Sequence, residues 1–256
     1  MQRLELPTVT LCAVTSVNVT ATLDALRASS DQIDFAKSIL FTDADILSDR
    51  SVNVVQIDRL SSSNAYSDFL LHELVDHIGT SHCLIVQWDG FVVDAAAWDP
   101  RFLDFDYIGA PWPQFHDGRT VGNGGFSLRS RHLMEACRTS GFRAEHPEDI
   151  AICRTNRRFL EQEHAIRFAD EATAERFAYE RTLPTGAAFG FHGVFNMIPA
   201  LGADRFWDIY SCLDDKRTAF VDFGRIMRQL AEGRQSLRRR FRFAMDFLVA
   251  RLTGGA

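Results

Sequence analysis

The chain has 256 residues, 46% of them hydrophobic and 24% charged, a balance that suits a soluble globular protein and excludes a disordered or membrane-spanning one. A formal net charge of −6 argues against general nucleic-acid affinity. The five cysteines (Cys12, Cys83, Cys137, Cys153 and Cys212) have neither metal-ligand spacing nor a disulfide pattern, and the N-terminus lacks the apolar core of a signal peptide, so a cytoplasmic protein with reduced thiols is expected.

Residues 9–15 form a short apolar, β-rich run, and residues 18–28 read as a helix. Residues 38–41 and 52–57 are further strands, ending near Thr42-Asp43 and Asp58-Arg59. Asn64 is a plausible N-cap for an amphipathic helix over 65–78, where Phe69, Leu70, Leu74, Val75 and Ile78 recur at helical spacing and Gly79 ends the run. Residues 83–87 form the next strand. Strands alternating with helices imply βαβ units and a mostly parallel sheet. Beyond residue 90 the pattern loosens into a stretch rich in aromatics and prolines, from Trp98 to Trp112. Helices are expected over 131–139 and 147–162, the second opened by Pro147. From Arg205 onward the chain reads as helical. No linker-like composition separates domains, which favours one compact domain with a helical extension.

Four segments hold residues suited to chemistry. The strand at 83–87 delivers Asp89 just before Gly90, where an open α/β sheet places its ligands, although an Asp-Gly pair there also suits a simple turn. Gly122-Asn123-Gly124-Gly125 permits positive φ and close approach to a ligand, or else a tight bend between sheet elements. Glu148-Asp149 opens a helix, as capping charges or as a general base. His192, between Phe191 and Gly193, suits either a hydrogen-bonded core position or a ligand to a divalent ion shared with an aspartate. The tail carries Arg225, Arg228, Arg234, Arg238, Arg239, Arg240, Arg242 and Arg251 among Phe241, Phe243, Met245, Phe247 and Leu248. Such a helix lies on an anionic membrane, or docks its apolar side and leaves the arginines in water.

Taken together, QWDGF at 87–91, DYIGAPW at 106–112, GNGGFSLRS at 122–130 and PEDIAIC at 147–153 resemble the bacterial DUF5672 family, a group of GT-A-like glycosyltransferases, over residues 8–193. The resemblance implies an α/β GT-A-like (Rossmann-like) fold with a mostly parallel sheet flanked by helices, in a domain over 1–203. A helical C-terminal extension with a basic amphipathic tail would occupy 204–256. It further implies a nucleotide-sugar donor, UDP-linked, and a glycan or lipid-linked acceptor of the kind used in cell-surface polysaccharide synthesis. A divalent metal, Mn2+ or Mg2+, would be held by Asp89 and His192. GT-A enzymes commonly carry DxD after the fourth strand; here the first acid is replaced by Gln87, which with Trp88 would touch ribose or sugar. Thr15, Ser16, Asp58 and Arg59 would lie near the nucleoside. Asn123, Gly124, Gly125 and Trp112 would face donor sugar and acceptor. Asp149, with Glu148 as the alternative, matches the base of inverting enzymes. The basic tail, residues 234–256, would bring the protein to the inner membrane face. Two rivals stand beside this reading: a silent nucleotide- or glycan-binding module, favoured by Gln87, and a sugar nucleotidyltransferase, disfavoured because no Gly-rich, basic loop follows the first strand.

Overall fold

The computed structural model describes residues 3–231 and 236–254, so Arg234 of the expected basic tail lies outside the described residues. The chain divides into two compact units, residues 1–192 and 193–256. The division falls just after His192, so the helix over Val194–Leu201 belongs to the second unit rather than to a domain ending at 203.

The first unit is built on a six-stranded sheet. Strands β1 (Leu4–Val14), β2 (Ile33–Thr42), β3 (Asn53–Gln56) and β4 (His82–Ile85) run parallel in the order β3-β2-β1-β4. Two further strands, β5 (Tyr107–Ile108) and β6 (Ser127–Ser130), extend it, β6 antiparallel to both β4 and β5. This is the mostly parallel sheet expected from the alternation of strands and helices. β1 and β2 start earlier than their apolar runs suggest. The first half of β2 is partly solvent-facing, with Asp34 and Lys37 interrupting the hydrophobic signal. In β1 the pairing register shifts between Leu6 and Thr10, the interval that holds Pro7, a residue with no N–H to give to a ladder.

Helix α1 (Val19–Ser30) buries Ala21, Ala25 and Leu26. The expected amphipathic helix over 65–78 is one helical stretch: α2 (Ser63–Asp68), a wide π-turn over Phe69–Glu73, and α3 (Leu74–His77). Its cap is Ser62 and not Asn64: Ser62 Oγ accepts the Ala65 N–H at 3.1 Å, which places Asn64 inside the first turn. The face made by Phe69, Leu70, Leu74, Val75 and Ile78 packs on Cys12, Phe41 and Ile85 of the sheet. Four isolated turns would not hold this helix in water; the buried stripe does.

Past β6 come α4 (Arg131–Ala136), α5 (Glu148–Ile150), a π-turn over Ala151–Thr155, α6 (Arg157–Glu163) and α7 (Glu171–Phe177). A second, two-stranded parallel sheet joins β7 (Ala178–Tyr179) to β8 (Gly190–Phe191). The aromatics of the loosely patterned stretch have a packing role. Phe126, directly after the glycine-rich turn, stacks on Phe177 at 5.1 Å, while Trp98 meets Phe189 edge-on at 5.0 Å and Phe102 meets Phe177 at 5.3 Å. This cluster ties the glycine-rich turn to the small sheet.

The second unit is helical throughout its described residues: α8 (Val194–Leu201), α9 (Ala203–Ser211), α10 (Arg217–Val221), α11 (Phe223–Gln229) and α12 (Ser236–Leu252). Its core is aromatic. Phe243 is fully buried and touches Tyr210, Phe220 and Phe223, and Phe247 stacks on Phe223 at 4.3 Å. Among the described residues no helix is long and apolar enough to cross a membrane.

The tightest backbone approach in the first unit is at Gly109, just after β5, where a Cβ would stand 1.9 Å from the Gly122 carbonyl oxygen. Backbone cannot yield there as a side chain can. Gly109→Ala is expected to lower stability by about 2 kcal/mol or more, read from the midpoint of urea unfolding; an unchanged midpoint would show that the two loops are not locked together.

Candidate active site

Two groups of polar residues collect beyond the carboxyl ends of the parallel strands. The first follows β1 and β3. The Thr15 N–H donates to the Phe41 carbonyl at 2.9 Å, and Ser16 Oγ accepts the Leu60 N–H at 2.9 Å. That second bond draws the segment bearing Asp58 and Arg59, both exposed, up to the end of β1. The four residues assigned to the nucleoside are thus neighbours along one rim.

The second group follows β4. Gln87 and Gly90 exchange both backbone hydrogen bonds, at 2.9 and 3.0 Å, so Trp88 and Asp89 form the tip of a two-residue hairpin. The turn and the candidate ligand are therefore the same structure. Asp89 is buried, at 4% exposure. Gly90 is required by what lies against it, because a Cβ would be 2.7 Å from the His192 ring and 3.1 Å from the Phe191 carbonyl oxygen.

His192 is delivered by the small sheet: it follows β8, and its N–H donates to the Tyr179 carbonyl at 3.0 Å. Its Nε2 lies 3.8 Å from Asp89 Oδ1 and 3.2 Å from Gln87 Oε1, and its Nδ1 lies 3.4 Å from Glu180 Oε1. Burial alone would lower the His192 pKa, but Asp89 and Glu180 outweigh it and raise it above the ordinary histidine value. Glu180 shows the converse: burial raises its pKa, and contacts with His192, Arg181 and Asn123 bring it below the ordinary value. Gln87 is held from the other side by Tyr66, whose hydroxyl accepts its Nε2–H at 2.8 Å.

The acids at the start of α5 have separate partners. Glu148 is buried in an ion pair, Oε1 accepting from Arg129 Nη2 at 2.9 Å and Oε2 from Ser67 Oγ at 3.3 Å. Arg129 sits in β6 at 1% exposure, with Nε bonded to Ser127 Oγ at 3.1 Å and its guanidinium 5.5 Å from the Tyr107 ring centre. Asp149 is half-buried. Its Oδ2 accepts the Gly124 N–H at 3.0 Å and its Oδ1 the Ile150 N–H at 2.8 Å. Burial, then repulsion from Glu148, raises its pKa above the usual 3.8, against the lowering effect of those two N–H groups and Arg129. Of the two acids, Asp149 stays partly exposed, and Glu148 is committed to Arg129.

The glycine-rich turn joins the two halves. A Cβ on Gly124 would be 2.2 Å from Glu148 Oε1, on Gly125 2.0 Å from His192 Nε2, and on Gly122 2.2 Å from the Trp112 ring. The expectation that these glycines supply positive φ is corrected: Asn123 holds that conformation (φ 69°), and the glycines make room for side chains. Asn123 is buried and its Oδ1 accepts the Gly125 N–H at 3.1 Å. Trp112, at 5% exposure, packs in the core on Gly122. Sequence reasoning passed over Glu180, Tyr66 and Arg129. The first two sit in segments without a motif, and Arg129 lies inside GNGGFSLRS, where its charge in an otherwise uncharged strand is the available signal.

Asp89 Oδ1 and Gln87 Oε1 face His192 Nε2 while Glu180 faces Nδ1, and of these Asp89 and His192 are the residues that could hold a divalent cation. Among the described residues no group of three or more His, Cys, Asp or Glu side chains is placed to hold a metal ion. A cation here would draw its remaining ligands from substrate and water.

These placements give opposite expectations for the adjacent acids. Glu148→Gln leaves a buried arginine without its counter-charge and is expected to cost about 3–5 kcal/mol. Asp149 has a folded-state pKa above 3.8, so folding binds its proton more tightly than the unfolded chain does. Its cost to stability is absent below pH 3.8 and complete above the folded-state pKa. At neutral pH, Asp149→Asn is therefore expected to keep or raise stability. Urea unfolding of the two variants side by side tests this, and equal losses would contradict it.

A crystal structure of a glycosyltransferase involved in glycosylation of the major capsid of PBCV-1 resembles the chain with a TM-score of 0.46 at 10% identity, covering 80% of this chain and 100% of that one. The mannosyltransferase PcManGT from Pyrobaculum calidifontis, in complex with GDP-Man and Mn2+, gives a TM-score of 0.42 at 13% identity, over 91% of this chain and 68% of that one. No curated protein matches the sequence. The family model described as "Protein of unknown function (DUF5672)" matches residues 49–192, more than half of the chain and ending where the first unit ends, and the chain belongs to that family.

Proposed function

We propose that the first unit is an inverting, metal-dependent glycosyltransferase of GT-A type, moving a sugar from a UDP-linked donor to a hydroxyl of a glycan or lipid-linked acceptor. One observation carries the proposal: two consecutive glycines bridge a cation-binding half to a base. Gly125 lies against His192, which faces Asp89, and the Gly124 N–H holds Asp149. Glycosyl transfer needs both functions at adjacent points, one at the departing diphosphate and one at the incoming hydroxyl.

In this reading Thr15, Ser16, Asp58 and Arg59 hold the nucleoside, Gln87 and Trp88 the ribose or sugar, and Asn123, Gly124 and Gly125 form the floor under the donor sugar. Asp89 and His192 hold Mn2+ or Mg2+, which when bound supplies positive charge to the diphosphate leaving group. Asp149 takes the proton of the acceptor hydroxyl as that oxygen attacks the anomeric carbon. The bond from that carbon to the diphosphate breaks with its electrons on the phosphate oxygen. A single displacement inverts the anomeric centre. A cavity of about 370 Å³, lined by Asn64, Ser67, Asp68, Glu145 and His146 together with Ala65, Leu71 and Ala144, lies beside Glu148, to which Ser67 donates, and offers an acceptor both polar and apolar contacts.

A second reading, a binding module without turnover, is favoured by Gln87, whose amide is engaged by Tyr66 and His192 where an acid would offer charge to the metal.

Calorimetry of UDP with and without Mn2+, on the native chain and on Asp89→Ala, tests the metal half. Binding is expected to need the ion and to be lost in the variant. It is also expected to strengthen as pH rises above the ordinary histidine value, because the ion competes with the proton that Asp89 and Glu180 favour on His192. Binding that persists in Asp89→Ala without metal would remove this site. Asp149→Asn is expected to lower kcat by about 10²–10⁴ with UDP binding intact. Nuclear magnetic resonance of the first-formed product anomer decides between inversion and retention, and binding without turnover across donors and acceptors would establish the module instead.

A further inference from the structure

Helix α12 has two apolar faces, and the second unit uses one of them. Phe243 and Phe247 point into the aromatic core, and Arg239 on the same side pairs with Asp204 at 2.6 Å and lies over Trp207. On the opposite side Leu237, Phe241, Met245, Leu248 and Leu252 follow one another at intervals of three and four residues, with Val249 four residues after Met245, which makes a single stripe. The stripe is open to solvent: Leu237 is 80% exposed, Phe241 70% and Leu252 87%. At helical spacing Arg238 and Arg242 fall along one margin, and Arg240 and Arg251 along the other.

We infer that this face of α12 docks on an anionic lipid surface, lying in the plane of the interface with the stripe among the acyl chains and the arginines at the headgroups. The charge pattern selects this occupant. Asp246 is the single acid between residues 236 and 254, and it is used inside the unit, where Tyr210 Oη and Lys216 Nζ donate to it at 2.9 and 3.1 Å. No other acid stands on α12, so the helix borders its stripe with arginines on both sides. A second copy packed stripe to stripe would bring arginine rims together, whereas a leaflet of anionic lipid offers an apolar interior beneath a negative surface. Arginine suits such a margin, since its methylene stem covers apolar surface while its head stays at the phosphates. This inference goes beyond the transferase reading and stands without it, because lipid binding requires no sugar chemistry.

Removing the tail is a poor test, since it takes Phe243 out of the core. Point variants on the open stripe avoid that. The full chain is floated with vesicles of phosphatidylcholine alone or mixed with phosphatidylglycerol, as native protein, as Phe241→Glu with Leu248→Glu, and as Arg238→Glu with Arg242→Glu; circular dichroism confirms that each folds. The native chain is expected on the mixed vesicles and not on neutral ones, less so at high salt, with each double variant reducing partitioning by roughly tenfold or more. Failure of the native chain to float, or equal flotation of the variants, overturns the inference. So does a dimer in light scattering that the Phe241→Glu, Leu248→Glu variant dissociates while vesicles capture nothing.

Discussion

The buried ion pair between Arg129 and Glu148 fixes the arrangement on which the candidate site depends. Arg129 belongs to β6, and Glu148 opens α5, so the pair joins the sheet to a three-residue helix that has little stability of its own. With Glu148 held, the next residue, Asp149, is set where its carboxylate meets the Gly124 N–H. The same Glu148 oxygen occupies the space beside Gly124 that any larger residue would need. A pair of this kind is a weak source of net stability, because both charges lose water. Its effect here is geometric: it settles the position of the glycine-rich turn and of Asp149 in one contact.

On the other side of that turn, His192 lies between Asp89 and Glu180, one carboxylate near each ring nitrogen. A protonated ring satisfies both. A neutral ring keeps one proton and satisfies only one of them. The raised His192 pKa follows from that position, because a proton on the imidazole is what offsets the two carboxylates. Gln87 in place of an acid is consistent with this balance, since a further carboxylate would add negative charge to a pocket that already holds Asp89, Glu180 and Asp149.

How much of this the sequence disclosed depended on whether a residue's role is local. The parallel sheet and the helix over 65–78 could be read because burial imposes a period on neighbouring residues, and both were found. Starts and caps were missed where the period fails. β2 begins in partly exposed positions, and Ser62 rather than Asn64 accepts the first-turn N–H. Asp89, Asp149 and His192 could be singled out because glycine or a helix start stands beside each. Glu180 could not, for its importance comes from the pairing of β7 with β8, which sets it beside His192 and leaves no motif in its own segment. The glycines at 122–125 were read as freedom for the backbone. What requires them is the bulk of Trp112, Glu148 and His192, contributed from three other places in the chain.

The second unit raises a different question, about area rather than geometry. A helical unit of this size sits near the lower limit at which burial offsets the entropy of ordering the chain. Its aromatic core, with Phe243 at the centre, uses one side of α12. A chain optimised for its own stability and solubility alone would place polar residues on the outer side, as amphipathic surface helices do. Here six large apolar side chains stand there in one line, bordered by arginines. Scattered exposed hydrophobes need no explanation, but a continuous stripe on a helix whose opposite face is already packed is a surface made for contact. The arginine margins suit a negative surface, and α12 itself has no acid besides Asp246 with which to pair the arginines of a second copy.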